Sequence, residues 1–453
     1  MPPSVMPPTV VPPPTGGGRR GRTTLVAVLA AVLVTLLAGG GAWLLYGDGD
    51  SGEDGEALPP HRQNAALAWE QPVPRVPLVE ETPTTWFTEK FVVKVPVTEV
   101  AGFRRDTGKR AWRVPLRGVT CGTSVEAAAG RAAVRHGLSC ELLTVIDLAR
   151  GEALWTRKLP VPAGTEPDTV DPGRLAVTEE AVAVVLEESA TVFRIADQKV
   201  LQRLDRLDGS CGVKSVRGGA VLVARAACDG RQVVWVHDPV TGEREWAWPV
   251  PAGLQVEGFP SASPLVVTLH RDITEGTHSV YHLPGKGKPA VPIDMGRNVD
   301  REAGLCEHVT PRCPGAVAGE RTLYLQGPKH ASPGDSSAQE NEVVAFDLRT
   351  GKAMWAAKPE AKRELVPVAE LQGDLIAYEP ATPEKGGALL RYDGGTGRRS
   401  VYERHPSLTS EREREVARNA APLLDRGMFF LSAEDVYPWE EGEPEPALVA
   451  AFR

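Results

Sequence analysis

Short apolar runs that alternate with polar positions and end in tight-turn residues recur along the chain after residue 66. Their spacing of roughly 40 to 50 residues is typical of repeated β-sheet units. Because Asp bonds its own downstream backbone and Gly accepts a positive φ, each copy predicts a tight hairpin. The clearest copies are GFRRDTGKRAW (Gly102–Trp112), VIDLARGEALW (Val145–Trp155), VHDPVTGEREW (Val236–Trp246) and AFDLRTGKAMW (Ala345–Trp355).

A tryptophan closes each of these copies, and a single hairpin is too small to bury so large an apolar side chain. We therefore expect each tryptophan to dock onto the neighbouring unit, as in the radially packed sheets of a β-propeller. Weaker outer strands near Leu201, Val291 and Val401 bring the number of predicted blades to eight. The predicted blade-docking residues are Trp69, Trp112, Trp155, Trp246 and Trp355.

The two ends of the repeat region complete each other. The strand at Trp69 has no hairpin before it, whereas Ala447–Arg453 resembles a repeat strand that lacks its partner. Pairing of the two would remove free sheet edges, which otherwise invite aggregation. The predicted fold is all-β: an eight-bladed β-propeller with velcro closure by the N-terminal strand, preceded by a single transmembrane helix.

The D-x-x-T-G-x-x-x-W pattern resembles the PQQ-like propeller repeat, and the resemblance covers most of the chain beyond Ala66. It implies the fold of quinoprotein dehydrogenases and of BamB-like assembly proteins. Those enzymes carry adjacent cysteines over the quinone, and none of the six cysteines here is adjacent to another, so we expect no cofactor. The matches lie at Asp106/Trp112, Asp147/Trp155, Asp238/Trp246 and Asp347/Trp355.

Three segments precede the repeats. Residues 1–22 are rich in Pro and Gly and predict a disordered cytoplasmic tail. Residues 23–46 are uncharged and long enough to cross a bilayer of about 30 Å, so they predict a transmembrane helix, with a cleaved signal peptide as the alternative. Residues 47–65 predict an acidic, Gly-containing linker, and residues 66–453 the propeller.

The charges that flank the apolar segment predict its orientation. Arg19, Arg20 and Arg22 precede it, and acidic residues follow it, so the N-terminus is expected in the cytoplasm and the propeller outside a plasma membrane crossed once. The net charge of −8 disfavours nucleic acid as a partner. A composition rich in Ala, Gly, Pro and Arg resembles that of actinobacterial surface proteins.

Six cysteines occur as three local pairs, although six thiols can pair in about 15 ways. In an antiparallel pair the start of one strand lies beside the end of the next, which favours local bridges on one face of the disc. Disulfides agree with an extracytoplasmic domain, and the spacings disfavour a metal site, the alternative. The predicted bridges are Cys121–Cys140, Cys211–Cys228 and Cys306–Cys313.

The sequence offers no anchor for catalysis, since it contains no G-x-S-x-G, H-E-x-x-H or P-loop motif. His270, His278 and His282 have a spacing that suggests a metal, but alternation along a strand would separate them. We expect no catalytic residue and no metal site. The four repeat aspartates, Asp106, Asp147, Asp238 and Asp347, are interpreted as turn residues rather than as a carboxylate ring.

Three connections exceed what a blade needs: Gly327–Glu342, Glu379–Ala388 and Ser432–Ala447. Each joins the second strand of a blade to its third, which places all three on the face that carries the disulfides. A short helix with a capping box of Ser410 and Glu413 is expected on the same face. The last connection combines exposed aromatic and acidic residues that suit a basic partner, and its candidate partner-binding residues are Tyr437, Trp439, Glu440 and Glu441.

These features favour a non-catalytic, extracytoplasmic binding or scaffolding platform, anchored in the membrane, for an unknown protein or ligand of the cell envelope. The alternative is a small-ligand sensor or an enzyme that uses the propeller channel. A cluster of convergent polar groups in the channel would favour the alternative, and a broad aromatic and acidic patch on the loops would favour the platform.

Overall fold

The computed structural model describes residues 63–453 except 83, 162–173, 205–210, 273, 298, 300–304, 307–312, 333–334, 361–362, 441 and 443–444. The predicted tail, transmembrane helix and all but the last three residues of the predicted linker lie outside the described residues. Within the described part, no helix is both long enough and apolar enough to cross a membrane.

Eight four-stranded antiparallel sheets follow one another along the chain, which gives the predicted eight-bladed β-propeller. The first strands of several neighbouring blades contact each other, which places the first strands innermost. Blades 1 to 4 consist of β3 (Thr85–Phe87), β4 (Phe91–Lys94), β5 (Glu99–Arg104) and β6 (Arg110–Pro115); β7 (Val119–Thr123), β8 (Arg131–Gly137), β9 (Leu142–Asp147) and β10 (Glu152–Lys158); β11 (Leu175–Val177), β12 (Ala181–Leu186), β13 (Ser189–Arg194) and β14 (Val200–Leu204); and β15 (Cys211–Arg217), β16 (Leu222–Cys228), β17 (Arg231–His237) and β18 (Arg244–Pro249).

The remaining blades follow the same order, except that the last one takes its outer strand from the start of the described chain. Blades 5 to 8 consist of β19 (Gln255–Ala262), β20 (Leu265–His270), β21 (Ser279–Leu283) and β22 (Val291–Pro292); β23 (Ala316–Ala318), β24 (Thr322–Gln326), β27 (Val343–Asp347) and β28 (Ala353–Ala357); β29 (Val366–Leu371), β30 (Asp374–Glu379), β31 (Ala388–Tyr392) and β32 (Arg399–Arg404); and β33 (Ala420–Asp425), β34 (Met428–Ala433), β36 (Ala447–Phe452) and β1 (Leu67–Pro72).

A few elements lie outside the blades. β2 (Glu80–Glu81) pairs with β35 (Asp435–Val436), and β25 (His330–Ser332) pairs with β26 (Asp335–Glu340). A 3₁₀ turn (Ser407–Thr409) and helix α1 (Ser410–Ala417) lie between blades 7 and 8.

The antiparallel order divides the connections between two faces of the disc. The turns between first and second strands and between third and fourth strands lie on one side, which we call the turn face. The connections between second and third strands and those between consecutive blades lie on the other, which we call the loop face. The three long connections and α1 therefore all belong to the loop face, as the sequence predicts.

The apolar core is divided into eight clusters, and each lies between two adjacent blades. Alternate strand residues point to opposite faces of a sheet, so each blade supplies side chains to the clusters on both of its sides. No blade has a core of its own, and each is stabilised through its two neighbours.

Each predicted docking tryptophan packs in the cluster between its own blade and the next, and Trp69 is the most buried of the five. The ring of Trp69 covers Gly108 in the next hairpin turn, where a Cβ would lie 2.6 Å from the ring. Trp355 covers Gly397 in the same way, with a corresponding distance of 2.7 Å. These glycines have positive φ, so both the turn and the close approach require glycine.

Three of the indoles also donate their N–H groups to the backbone of the following blade. The acceptor is the carbonyl oxygen three residues before the positive-φ residue of the turn: Trp69 bonds Arg105 (2.8 Å), Trp155 bonds Ile195 (2.8 Å) and Trp355 bonds Gly394 (3.0 Å). The indole of Trp112 differs, because its Nε1 is buried without a hydrogen-bond partner.

Blade 1 departs from the repeat register that the sequence suggests. In blades 2, 4, 6 and 7 the turn glycine donates its N–H to an Asp carbonyl four residues earlier, as Gly151 does to Asp147. In blade 1, Gly108 bonds the carbonyl of Arg104 instead, so Arg104 occupies the position of the repeat Asp. Asp106 lies two residues later and forms an ion pair with Arg104 (3.1 Å).

The three disulfides form as predicted, linking Cys121 to Cys140, Cys211 to Cys228 and Cys306 to Cys313. Cys211 and Cys228 are direct cross-strand partners in β15 and β16. The Cys306–Cys313 bridge lies against Gly258 of blade 5. The first two cross-links join the first and second strands of blades 2 and 4 towards the loop face, and the third lies in the loop-face connection between blades 5 and 6.

Replacement of one docking indole tests the hydrogen bond apart from the packing. Trp355→Phe leaves the Gly394 carbonyl without its donor, whereas Trp112→Phe removes an N–H group that has no partner. We expect Trp355→Phe to lower the free energy of unfolding by about 1 kcal/mol more than Trp112→Phe, as measured by urea denaturation. Equal losses would show that the indole bond does not stabilise the joint.

Candidate functional site

The loop face of blades 8 and 1 contains the candidate site, because two long segments run together across it. Residues 73–82, here called the strap, lead from outer strand β1 to inner strand β3. They run antiparallel to the blade 8 connection at residues 434–446, here called the blade 8 loop. Val73 N bonds Pro446 O (3.0 Å) and Thr82 N bonds Glu434 O (2.6 Å), with the β2–β35 pairing between these two ends.

The structure describes three of the four candidate partner-binding residues and places them in different surroundings. Tyr437 is exposed, at 44% of its surface, and its hydroxyl donates to Asp435 (3.3 Å). Trp439 is half-buried against the core between blades 8 and 1, and the guanidinium of Arg75 lies 4.8 Å from its ring. Glu440 is exposed, and Glu441 lies outside the described residues. Tyr437 therefore faces solvent, whereas Trp439 anchors the blade 8 loop.

Buried polar contacts fix both segments to the blades below. Lys94 is fully buried and donates from Nζ to the carbonyl oxygens of Thr82 and Ala433, the latter at 2.7 Å. Thr85 Oγ1 lies 2.7 Å from Ser432 Oγ. These contacts join residues at opposite ends of the chain and hold the strap and the blade 8 loop in place.

A pocket of about 80 Å³ opens beside Tyr437, between α1 and the blade 8 loop. Arg412 of α1 lines it, but its guanidinium is bonded to Glu70 (3.0 and 3.1 Å), Glu415 (2.9 Å) and the carbonyl of Glu445 (2.6 Å). The pocket is far smaller than a typical small-molecule site of about 300 to 1,000 Å³. This part of the loop face is better suited to surface contact than to enclosing a ligand.

A buried histidine lies between two carboxylates beneath α1. His405 Nδ1 lies 2.7 Å from Glu413 Oε1, and its Nε2 lies 3.0 Å from Glu403 Oε1. Glu413 also accepts hydrogen bonds from Tyr378 Oη (2.8 Å) and Gly387 N (2.9 Å). Burial lowers the pKa of His405, but the hydrogen bonds and charges of the two glutamates outweigh it and raise the pKa to about 9.

The predicted capping box is wrong. Helix α1 has Thr409 as its N-cap without a side-chain cap, and Ser410 Oγ donates to Pro383 O (3.3 Å). The Glu413 side chain points inward to His405 instead, because a buried imidazolium binds the carboxylate more strongly than the helix terminus does. The one feature of the sequence that indicates an inward-facing Glu413 is that it shares a helix face with apolar Val416, three residues later.

A second buried ion pair supports the neighbouring connection of blade 7. Arg363 donates to Glu379 Oε2 (2.7 Å) and to the carbonyl oxygens of Pro380 and Gly386 (both 3.1 Å). Both side chains are buried, and the pair fixes the two ends of the predicted long connection Glu379–Ala388. Nothing in the sequence pairs residue 363 with residue 379.

Polar groups also occur near the propeller axis and on the turn face, away from the loop face. Arg217 of blade 4 pairs with Glu126 of blade 2 (2.6 Å) and donates to the carbonyl of Phe259 in blade 5, so it links three blades near the axis. An open polar pocket of about 490 Å³ lies between the first turns of blades 6 and 7 and contains Glu320, Arg321 and Glu370.

The residues that the sequence singled out for chemistry are spread over the ring. The turn aspartates accept backbone hydrogen bonds within their own hairpins, as Asp238 does from Val240 (2.9 Å) and Thr241 (2.7 Å). His282 Nδ1 donates to the carbonyl of Leu348 in blade 6 (2.8 Å), and His270 is buried at the end of β20. Among the described residues, no His, Cys, Asp and Glu side chains form a group of three or more suited to a metal.

No known family model matches the chain, and no curated protein matches its sequence. Solved structures with a similar chain path include BamB from Moraxella catarrhalis, with 12% identity, coverage of 84% of this chain and 96% of that one, and a TM-score of 0.46. A europium-containing methanol dehydrogenase has 12% identity, coverage of 82% and 84%, and a TM-score of 0.45. At this level the likeness concerns the fold and carries no argument about function.

The two most perturbed histidines predict opposite dependences of stability on pH. The pKa of His405 is raised from 6.5 to about 9, so its stabilising effect is complete below pH 6.5 and is lost as pH rises towards 9. Burial lowers the pKa of His237 from 6.5 to about 4, so its contribution is present above pH 6.5 and is lost as pH falls towards 4.

We expect His405→Asn to flatten the decline in melting temperature between pH 6.5 and 9. His237→Asn is the matched control and should affect only the acidic branch, between pH 6.5 and 4. Melting curves at a series of pH values measure both effects. An unchanged alkaline decline in the His405 variant would contradict the assignment of a charged imidazole to this cluster.

Proposed function

We propose that this chain is a non-catalytic binding or scaffolding platform, anchored in the plasma membrane by one helix, with a cytoplasmic N-terminus and an extracellular propeller. Its loop face would bind an envelope protein or ligand. The observation that carries the proposal is the concentration on that face of the long connections of blades 6, 7 and 8, helix α1 and the strap.

The distribution of exposed apolar side chains supports the choice of face. The most exposed ones are Leu408 (95%), Leu138 (81%) and Leu78 (70%), and all three lie in loop-face connections or in the strap. Exposed apolar surface marks interaction sites when it is extensive, and the exposed apolar residues off this face, Leu154, Val200, Val240 and Met354, are less exposed, at 40% to 52%. The buried contacts of Lys94, Arg363 and His405 would keep this surface rigid, which lowers the entropy cost of binding.

The predicted membrane anchor is part of the same proposal. An uncharged segment at residues 23–46, with arginines before it and acids after it, supports the orientation. Three disulfides support an oxidising, extracytoplasmic location.

The velcro closure is also proposed. β1 pairs with β36, from Leu67 opposite Phe452 to Pro72 opposite Ala447, and Arg105 of blade 1 bonds Asp425 of blade 8. We propose that the strand pairing holds the ring closed and that the whole propeller depends on it.

Deletion of residues 66–78 should destabilise the entire propeller, because it removes the outer strand of blade 8 and the buried Trp69. Loss of that side chain alone corresponds to at least about 3 kcal/mol. Deletion of residues 47–62, which precede the described part of the chain, is the control and should leave the melting temperature unchanged. Identical melting of the 66–78 deletion and the intact chain would contradict the closure.

Site-specific photo-crosslinking in cells tests the platform. A photoreactive residue placed at Leu138 or Leu408 reports on the loop face. Val240, on the turn face, and Val200, on an outer strand, are controls of substantial exposure (52% and 44%). We expect a discrete crosslinked protein from the loop-face positions only. Equal capture from all positions, or no capture together with a co-purifying small molecule, would favour the channel sensor or enzyme instead.

A further inference from the structure

The strap and the blade 8 loop carry a short strip of exposed apolar side chains. Leu78 is 70% exposed, Val79 is 54% exposed and Tyr437 is 44% exposed. Glu80 pairs with Val436 and Glu81 with Asp435, so continuing this register by one residue places Val79 opposite Tyr437. Opposite residues in an antiparallel pair have side chains within about 5.5 Å.

Buried side chains and backbone hydrogen bonds hold the backbone of this strip in place. Val436, between Asp435 and Tyr437, is fully buried, and Trp439 packs against the same core from the other side of Pro438. Backbone bonds at both ends of the ribbon, from Val73 to Pro446 and from Thr82 to Glu434, fix its length and register. The exposed apolar atoms are therefore held in place before any partner arrives, which favours binding.

The electrostatic surroundings of the strip are strongly acidic. Residues 434–446 contain six Asp or Glu and no Lys or Arg, and the strap adds Glu80 and Glu81. Two arginines of the region have contacts of their own: Arg75 lies over the ring of Trp439, and Arg412 pairs with Glu70 and Glu415. An apolar strip bordered by acids is complementary to a segment that is both basic and apolar.

We infer that this surface, here called the strap patch (Leu78, Val79, Tyr437 and the described acidic residues Glu434, Asp435, Glu440 and Glu445), binds an extended Lys- or Arg-rich segment of a partner protein that also carries aliphatic or aromatic side chains. The inference rests on the proposed platform function and specifies the class of its partner. Cationic side chains also interact favourably with the face of a Tyr ring.

The charge argues against two other occupants. Anionic lipid headgroups would be repelled by the acidic loop, since membrane surfaces attract basic rather than acidic segments. A second copy of this chain that met the patch with the same patch would place two acidic loops against each other, and like charges in contact destabilise such an interface.

The test measures binding of fluorescent peptides to the full chain in a zwitterionic detergent, by anisotropy, with empty micelles as the blank. The first peptide has Lys at alternate positions and Leu or Tyr between them. The second has Glu in place of Lys, and the third has Ser in place of Leu and Tyr. We expect binding of the first peptide only, weakened by salt at ionic strengths where the Debye length falls to about 3 Å.

Variants connect that binding to the patch. The double change Val79→Ser and Tyr437→Ser should weaken the first peptide about tenfold, as expected for loss of a central aromatic contact. Leu138→Ser, at an 81% exposed position on the loop face of blade 2, is the matched control and should bind as the unchanged chain does. Glu445→Gln should weaken binding and reduce its salt dependence.

Equal binding of the acidic and basic peptides, or an unchanged affinity in the double variant, would overturn the strap patch. The crosslinking experiment separates this failure from failure of the platform. A discrete partner captured at Leu138 or Leu408, together with no basic-peptide binding, removes the patch and leaves the platform. If no partner is captured and no basic peptide binds, both the platform and the strap patch are contradicted.

Discussion

Every blade of this protein depends on its two neighbours, because its apolar side chains point to both sides of a single sheet. The eight clusters lie between blades rather than within them. A linear row of such sheets would leave one apolar face bare at each end, and burial of those faces requires a ring. The joint between blades 8 and 1 therefore buries apolar faces as the other seven joints do, but it joins residues that are far apart in the chain.

That joint combines apolar packing with buried contacts of charged side chains. Among the described residues, a tryptophan covers a turn glycine at three joints, those that follow blades 8, 1 and 6. The joint between blades 8 and 1 adds buried Lys94 and the Arg105–Asp425 pair. Burial lowers the pKa of Arg105, and Asp425 offsets part of that effect. Removing one partner of a buried charge is strongly destabilising, so such contacts specify one register of closure rather than adding general stability.

The same region presents the strap, the blade 8 loop and α1 to solvent. Their inner sides are held by Lys94, by the His405 cluster and by the guanidinium of Arg412, while their outer sides carry Leu78, Val79 and Tyr437. The closing joint and the proposed binding surface are thus built from the same chain segments. Damage to the closure would be expected to alter the binding surface as well, which is why exposed substitutions at Val79 and Tyr437 are the more informative probes.

The repeat pattern by itself determined the blade number, the outer strands and the cysteine pairs, since each rests on residues close in sequence. A Gly four residues before a Trp fixes a hairpin and its docking side chain through local turn geometry and burial. Even there, the sequence pattern assigned the repeat Asp of blade 1 to Asp106. In the structure Arg104 occupies that position, and the turn tolerates the exchange. The exposure of Tyr437 and the half-burial of Trp439 were not distinguishable from the sequence, where both are aromatic residues in one acidic loop.

Only the tertiary structure decided the contacts of His405, Lys94 and Arg363. Lys94 meets the carbonyl of Ala433, 339 residues away, and Arg363 meets Glu379, 16 residues away. The partners of His405 are nearer, at Glu403 and Glu413, but only the packing of α1 brings Glu413 to the imidazole. Local propensity and periodicity describe how a segment folds against itself. They do not specify which carboxylate or carbonyl of another segment a buried cation will contact. For Lys94 that choice follows from the packing of blade 8 beside blade 1, and for Arg363 and His405 it follows from the packing of the blade 7 connection and of α1 against the sheets.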